Sequence, residues 1–430
     1  MSKLYFIRMK DIWQSVSAQD TLFWLANIYL FLEYVRPQTL YPSIAVIPFA
    51  RITIALGMLF LLLGNLNRFV KNPVNKLMIM MLLVILISSA NALSPGIAFS
   101  KVSDFISWIF IYFIIVNAIN TEDRFLIFML AFLLYSFKMS QFSFLNWVAT
   151  GFSFRREGTG GGPGWFNNSG EFGIQMCIFL PLASCFYYAL HQYWSRLKKG
   201  FFLLFPLTAL TGAISCSSRG ALVGVVSILL FMLFKTKNKL KVLFIVITTI
   251  CLVYVLLPDK QKERLVASGQ DNTSVSRLQL WGVGLDMVRR HPVLGVGYRN
   301  WGVAQTEVYG VQNQLLPHNV FIECAAELGL SGFLCFVLLI GYTFYNNYQS
   351  RKLLGSSADG RFLSLMADGL DAALVGYLVS GFFVTVLYYP YFWINLSMTV
   401  ALRNVAVSRV ETVPVVAHDA GVSLQQAGAR

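Results

Sequence analysis

The sequence predicts an all-α polytopic membrane protein, on three observations. Hydrophobic residues make up 56% of the 430-residue chain and charged residues only 13%, against about 25% charged in ordinary soluble domains. Apolar runs recur along the chain, and many approach the roughly 20 residues that a helix needs to cross a hydrocarbon core. Lys-rich loops alternate with Lys-poor ones, as expected where cytoplasmic loops collect the positive charge.

The elements follow in order. Residues 1–20 are a basic, mixed-polarity lead placed in the cytoplasm, with no secretory signal pattern. Residues 21–257 hold the first nine expected spans, near Leu22–Val35, Ile44–Leu63, Val74–Ala92, Phe105–Ile119, Arg124–Val148, Glu171–Leu190, Phe201–Ser217, Gly220–Phe234 and Leu240–Leu257. A Gly-rich outer loop, 150–170, interrupts them. Residues 258–318 form a long outer loop with short amphipathic helices, among them Leu278–Val288, expected to lie along the membrane surface. Residues 319–408 hold the last three spans, near Asn319–Tyr345, Leu370–Leu387 and Tyr391–Val407, and 409–430 a cytoplasmic tail. The total is about twelve transmembrane helices. The six Cys lie in or beside apolar runs without a CxxC pair, so they read as packing residues rather than disulfides or metal ligands.

Charge then separates the two faces. With the N-terminus inside, the inner loops carry Lys71, Lys76, Lys198, Lys199, Lys235, Lys237, Lys239 and Lys352. The outer polar stretches carry Arg instead: Arg155, Arg156, Arg219, Arg277, Arg289, Arg290 and Arg299. Topology does not explain those, because positive charge on the outer side runs against the rule. Arg matches phosphate oxygens in a forked geometry, and helix starts at the same face favour anions through their free N–H groups and dipole. These stretches therefore read as a site for a phosphate-bearing lipid. The other reading is that each Arg snorkels to anionic headgroups.

Individual motifs sharpen this. Ser217-Ser218-Arg219-Gly220 sits at a span boundary, where small residues allow close helix approach and an Arg needs a polar cavity or a partner. In His291–Trp301 the glycines of Gly295-Val296-Gly297 suggest a tight turn that brings backbone N–H groups to a ligand. It is not a nucleotide fingerprint. His318 lies between Pro317 and Asn319, the latter a good N-cap; an outward His there can exchange protons near neutral pH, although a lone His also serves as a packing residue. Glu323 and Glu327 lie one turn apart and either orient His318, balance the arginines or pack helices. The chain has no GxxxxGK[ST], no DxD and no HExxH, so neither ATP, nor a metal, nor another cofactor is expected, and nucleic acid is not an expected partner.

Taken in order, SSRGALVG (Ser217–Gly224), HPVLGVGYRNW (His291–Trp301) and PHNVFIECAAELGLSGF (Pro317–Phe333) resemble the O-antigen ligase family, as does the loop Arg155–Glu171 with Asn167-Asn168. The resemblance implies a multi-pass protein of the bacterial inner membrane with its site facing the periplasm. It implies a metal- and ATP-independent glycosyltransferase that moves a glycan from undecaprenyl pyrophosphate to a sugar of lipid A–core, completing lipopolysaccharide. On this basis Arg219 and Arg299 would hold the pyrophosphate and His318 would be the essential histidine. The outer-face polar residues Arg155, Arg156, Arg277 and Asn319 are expected as further donor contacts, and attack by the acceptor hydroxyl from the opposite face is expected to invert the anomeric centre. An O-antigen polymerase uses the same donor. A transporter of lipid-linked glycan would call for mid-membrane charge and pseudo-symmetric halves; Lys138 is the one candidate mid-span Lys, and the chain shows no repeat.

Overall fold

The computed structural model describes residues 2–64, 69–153, 158–236, 238–256, 262–263, 272–312, 314–355 and 359–412. The described residues are helical, without strands. In chain order the helices are α1 (Met9–Ser17), α2 (Thr21–Tyr34), α3 (Pro37–Leu40), α4 (Phe49–Leu63), α5 (Pro73–Ala90), α6 (Pro95–Ala118), α7 (Glu122–Ala149) and α8 (Ser169–Leu190). There follow α9 (Arg196–Ser215), α10 (Arg219–Lys235), α11 (Lys239–Leu256), α12 (Asn272–Arg290), α13 (Trp301–Glu307), α14 (Val320–Leu354), α15 (Arg361–Gly381) and α16 (Pro390–Thr412).

Each expected apolar segment overlaps one of these helices. Among the described residues seven helices are long and apolar enough to cross a membrane: α5, α6, α7, α8 with its short 3-10 extension, α9, α14 and α15. By contrast α2 has 14 residues and α4 has 15, below the roughly 17 to 25 that a span takes. The sequence-based figure of about twelve spans counts such shorter helices as well.

Local chemistry sets where the helices begin. Pro73 and Pro95 occupy first-turn positions, where a missing N–H costs nothing. The Oδ1 of Asn168 accepts from Gly170 N, the Ser218 side chain from Ala221 N, and the Oδ1 of Asn319 from both Phe321 N and Ile322 N. These three caps place the starts of α8, α10 and α14.

The buried helix α8 packs against α15, α9 and α10. Glycines let the backbones approach. A Cβ at Gly224 would lie 2.1 Å from Ser380 Oγ, and one at Gly376 would lie 3.0 Å from the Cys177 carbonyl. Without a hydrophobic drive between helices in lipid, such close packing is what joins them.

The bundle has two ends of different chemistry. At one, Arg124 pairs with Asp20 at 2.7 Å, Arg409 pairs with Glu122, and Arg351 bridges Asp368 and Asp371 at 3.3 and 2.8 Å. Lys198 donates to the carbonyls of Phe6 and Ile7 there. The other end gathers the described residues of the Gly-rich loop, the starts of α8, α10 and α14, and the described residues from α12 to the start of α14.

Candidate active site

The polar segment is built around a break in α14. Gly329, at φ 64° and ψ −169°, interrupts the helix inside its apolar length. In an unbroken helix Leu330 would donate to the Ala326 carbonyl and Ser331 to that of Glu327. Here Val296 N and Gly297 N donate to those carbonyls at 2.9 and 3.0 Å, while Leu330 N and Ser331 N donate to Pro292 O and Val293 O at 2.8 and 3.3 Å. The loop thus inserts into the helix as a two-rung splice. Backbone at membrane depth needs such internal partners, since each unmet group costs several kcal/mol. Gly295 and Gly329 are both at positive φ and face each other's backbone: a Cβ on either would sit 2.4 or 2.3 Å from main-chain atoms opposite. This corrects one expectation. The amides of Val296 and Gly297 serve the broken helix, and that of Gly295 closes the turn on the His291 carbonyl at 3.0 Å, so none of the three is aimed at a ligand.

The splice fixes the elements around it. Helix α12 packs on the first part of α14, with Gly284 against Ile322 and the Trp301 ring, and Trp281 Nε1 donates to Pro317 O at 2.9 Å. That contact and a 2.8 Å bond from His318 N to Thr385 Oγ1 hold the Pro317–His318 peptide. His318 adopts φ 47° and Ser217 φ 55°, each a conformation that costs a non-glycine residue about 1–3 kcal/mol and gathers at functional sites.

A cavity of about 170 Å³ opens between these elements. Arg219, Arg277 and His318 line it together with Ser217, Ser218 and Glu171. Arg219 opens α10 and Glu171 lies in the first turn of α8, so two helix starts face the space. Two guanidinium groups and two positive dipole ends make it electropositive. Burial first, and then the charge of Arg277, hold the His318 pKa below its ordinary 6.5. The imidazole is therefore neutral at pH 7, the form that can accept a proton.

Arg299 is elsewhere. It lines a neighbouring cavity of about 370 Å³ with Trp301, Gln305, Gln314, Glu323 and Glu327. Pro317 belongs to the wall of this cavity and His318 to that of the first. The Arg299 guanidinium stacks 4.3 Å over the Tyr388 ring. Glu327 accepts from Arg299 N, Trp301 N and Tyr388 Oη at 3.1, 3.2 and 2.8 Å, and Glu323 accepts from Leu387 N at 3.3 Å. Burial works against the Arg299 charge, but Tyr298 and Glu327 outweigh it and raise its pKa. The glutamates balance Arg299 rather than orient His318.

Of the residues expected from sequence, the structure brings Arg219, Arg277 and His318 into one cavity and keeps Arg299 out of it. Asn319 sits beside them as the helix cap, 0% exposed. Arg155 and Arg156 lie outside the described residues. Sequence reading missed Glu171 and Tyr388. Asn168-Ser169-Gly170-Glu171 reads as a helix-start motif, and Tyr388 is one aromatic among many in an apolar run.

A third cavity, about 650 Å³, lies between α7 and the Gly-rich loop, where Phe142, Asn146, Thr159 and Pro163 line it. Trp165 anchors that loop. Trp165 Nε1 donates to Glu33 Oε1 at 2.8 Å, and its ring lies between Arg36 at 4.9 Å and Tyr389 at 4.6 Å.

Comparison with known proteins gives two findings. Residues 202–337 match the family model described as O-antigen ligase. That span covers α9 to the middle of α14 and so includes Arg219, Arg277, Arg299, His318 and both glutamates. The chain is also similar to the exopolysaccharide production protein ExoQ of Rhizobium meliloti (strain 1021), 29% identical over 114 residues, 24% of this chain and 26% of that one. The matched part is thus about a quarter of the relative's length.

Proposed function

We propose that this chain, whose residues 202–337 match the O-antigen ligase family model, is an O-antigen ligase. It transfers a finished glycan from undecaprenyl pyrophosphate to a sugar hydroxyl of lipid A–core at the periplasmic face of the inner membrane. The observation that carries this reading is the cavity where Arg219, Arg277 and His318 meet beside the starts of α8 and α10.

The lipid carrier enters sideways from the bilayer and sets its pyrophosphate against Arg219 and Arg277. The acceptor oxygen attacks the anomeric carbon from the face opposite the pyrophosphate. The C–O bond to phosphate breaks, its electron pair leaves with undecaprenyl pyrophosphate, and the anomeric centre inverts. The guanidinium groups and helix starts stabilise the charge that grows on the leaving oxygen. His318 takes the proton of the acceptor hydroxyl and later releases it to water. Arg299 has a different part: stacked on Tyr388 and balanced by Glu327, it supports the wall that Pro317 and His318 share. The Lys-rich loops at the opposite end support a periplasmic site through the positive-inside rule.

The similarity to an exopolysaccharide production protein favours a second reading, in which the acceptor is another lipid-linked glycan and the reaction is elongation. Both use the same donor cavity. Purified protein in liposomes, given lipid-linked glycan with and without lipid A–core, separates them. The ligase reading expects product only when lipid A–core is present. Polymer formed from the donor alone establishes the polymerase, and no transfer to either acceptor contradicts both.

A further inference from the structure

We infer that the cavity of Arg299, Trp301 and Gln305, on the far side of the Pro317–His318 peptide from the paired arginines, recognises an uncharged sugar ring. The inference rests on the glycan-transfer reading and adds to it the place where the sugar is held.

The volume, about 370 Å³, falls in the range of roughly 300–1,000 Å³ usual for small-molecule sites. The surroundings disfavour a phosphate. Glu327, which accepts from the Arg299 and Trp301 amides, and Glu323 beside it already face the one guanidinium, Arg299, so an anion finds better company in the neighbouring cavity. The polar groups suit hydroxyls. Gln305 is 1% exposed, lines the cavity, and its buried Oε1 has no hydrogen-bond partner among the described residues. A buried acceptor left unmet is destabilising, and a hydroxyl donor would meet it. Gln314 stands across from it with its Nε2 on Thr306 Oγ1 at 2.8 Å. Glu327 is already engaged by Arg299 N, Trp301 N and Tyr388 Oη, so it is a fixed wall. Glu323 accepts from Leu387 N, and its carboxyl group retains room for a further hydrogen bond. Leu315, Leu316 and Ile97 supply apolar surface for the C–H faces of a ring. Amides, a carboxylate and apolar side chains around one space are what a polyhydroxylated ring requires. Because the cavity shares the Pro317–His318 wall with the arginine cavity, a sugar here lies next to the reacting centre.

The sugar belongs either to the donor glycan or to the acceptor, and the test tells them apart. Gln305→Met removes the buried amide and keeps side-chain length; Gln314→Ala removes an exposed amide whose hydrogen bond to Thr306 Oγ1 is itself at the surface. Two lipid-free oligosaccharides serve as probes, one released by mild acid from the cell's lipid-linked glycan and one from its lipid A–core. Each is titrated calorimetrically into detergent-purified protein. Wild type should bind one of them saturably, and each variant should bind it about tenfold more weakly, the loss of one such hydrogen bond. Binding of the core oligosaccharide assigns the acceptor; binding of the donor oligosaccharide assigns the donor. If neither binds, or if both variants bind like wild type, the inference is wrong. If Gln305→Met does not accumulate, Gln314→Ala alone decides. Transfer by wild type in liposomes tests the underlying reading separately, since binding of a free sugar does not depend on turnover.

Discussion

Arg277 and Arg299 place the same guanidinium in different surroundings, and substitution by Lys should tell them apart. Lys keeps the charge but loses the forked geometry and the flat stacking face. Arg219→Lys and Arg277→Lys should insert at normal levels and transfer glycan about 10- to 100-fold more slowly, the range of hydrogen bonds to a charged group at about 1.5–3 kcal/mol. Arg299→Lys, which loses its stack on Tyr388, should instead lower the thermal midpoint of the purified protein. Full activity in Arg219→Lys and Arg277→Lys would make these residues lipid-headgroup contacts. His318 adds a pH test. Its pKa is held below 6.5 by burial and by Arg277, and the base must be neutral. Activity should therefore persist as pH falls through 6.5 and decline only when His318 protonates, at lower pH. The acid limb of kcat/KM, which reports the free enzyme, should lie below 6.5 and move upward in Arg277→Gln, where one cause of the depression is gone. An acid limb above 6.5 in wild type would contradict this. Arg219, His318 and the Asn319 cap were legible in the sequence because each is polar at the edge of an apolar run. The choice between Arg277 and Arg299 was not: both lie in one polar interval, and which cavity each enters depends on the packing of α12 and the splice.

At the scale of elements, the splice between the His291–Tyr298 loop and α14 holds the site together. Its glycines are required by crowding as well as by φ. Gly329 and Gly310 share nearly the same φ, 64° and 67°, but a Cβ on Gly329 would lie 2.3 Å from Val293 O while one on Gly310 meets nothing within 4 Å. Gly310→Ala should therefore cost only about 1–2 kcal/mol, the left-handed penalty. Gly329→Ala should cost clearly more, because the loop must also shift and its two rungs weaken. Thermal unfolding in detergent checks this, and equal midpoints for the two variants would show that the splice contributes little. The sequence could not reveal the break. Glu327-Leu328-Gly329-Leu330 reads as a continuous apolar helix with a tolerated glycine, and the groups that satisfy the break arrive from residues 292–297. Helix starts were easier, since Asn168, Ser218 and Asn319 carry short-range capping chemistry that acts within three residues.

Across the whole molecule, apolar length was legible because a span of about 20 apolar residues satisfies its backbone in lipid as a helix, whereas a barrel would need short alternating strands. The meeting of distant segments in one cavity was not, since α8, α10, α12 and α14 come together only through packing. The two ends carry a topological prediction. Of the six cysteines only Cys251 is exposed, so Cys251→Ser gives a background with buried thiols. In it, Gln312→Cys beside the site should react with an impermeant thiol reagent from the periplasmic side, and Asn238→Cys should not. The reverse pattern would invert the orientation and the functional reading with it. The central claim is that glycan leaves a lipid pyrophosphate in the cavity of Arg219, Arg277 and His318. The most direct test is single-turnover transfer in liposomes by His318→Ala, with binding of the lipid-linked donor measured on the same sample. Loss of a general base lowers the rate by about 10²–10⁴-fold, so His318→Ala should bind donor like wild type and transfer it at least a hundredfold more slowly; transfer at the wild-type rate would contradict the claim.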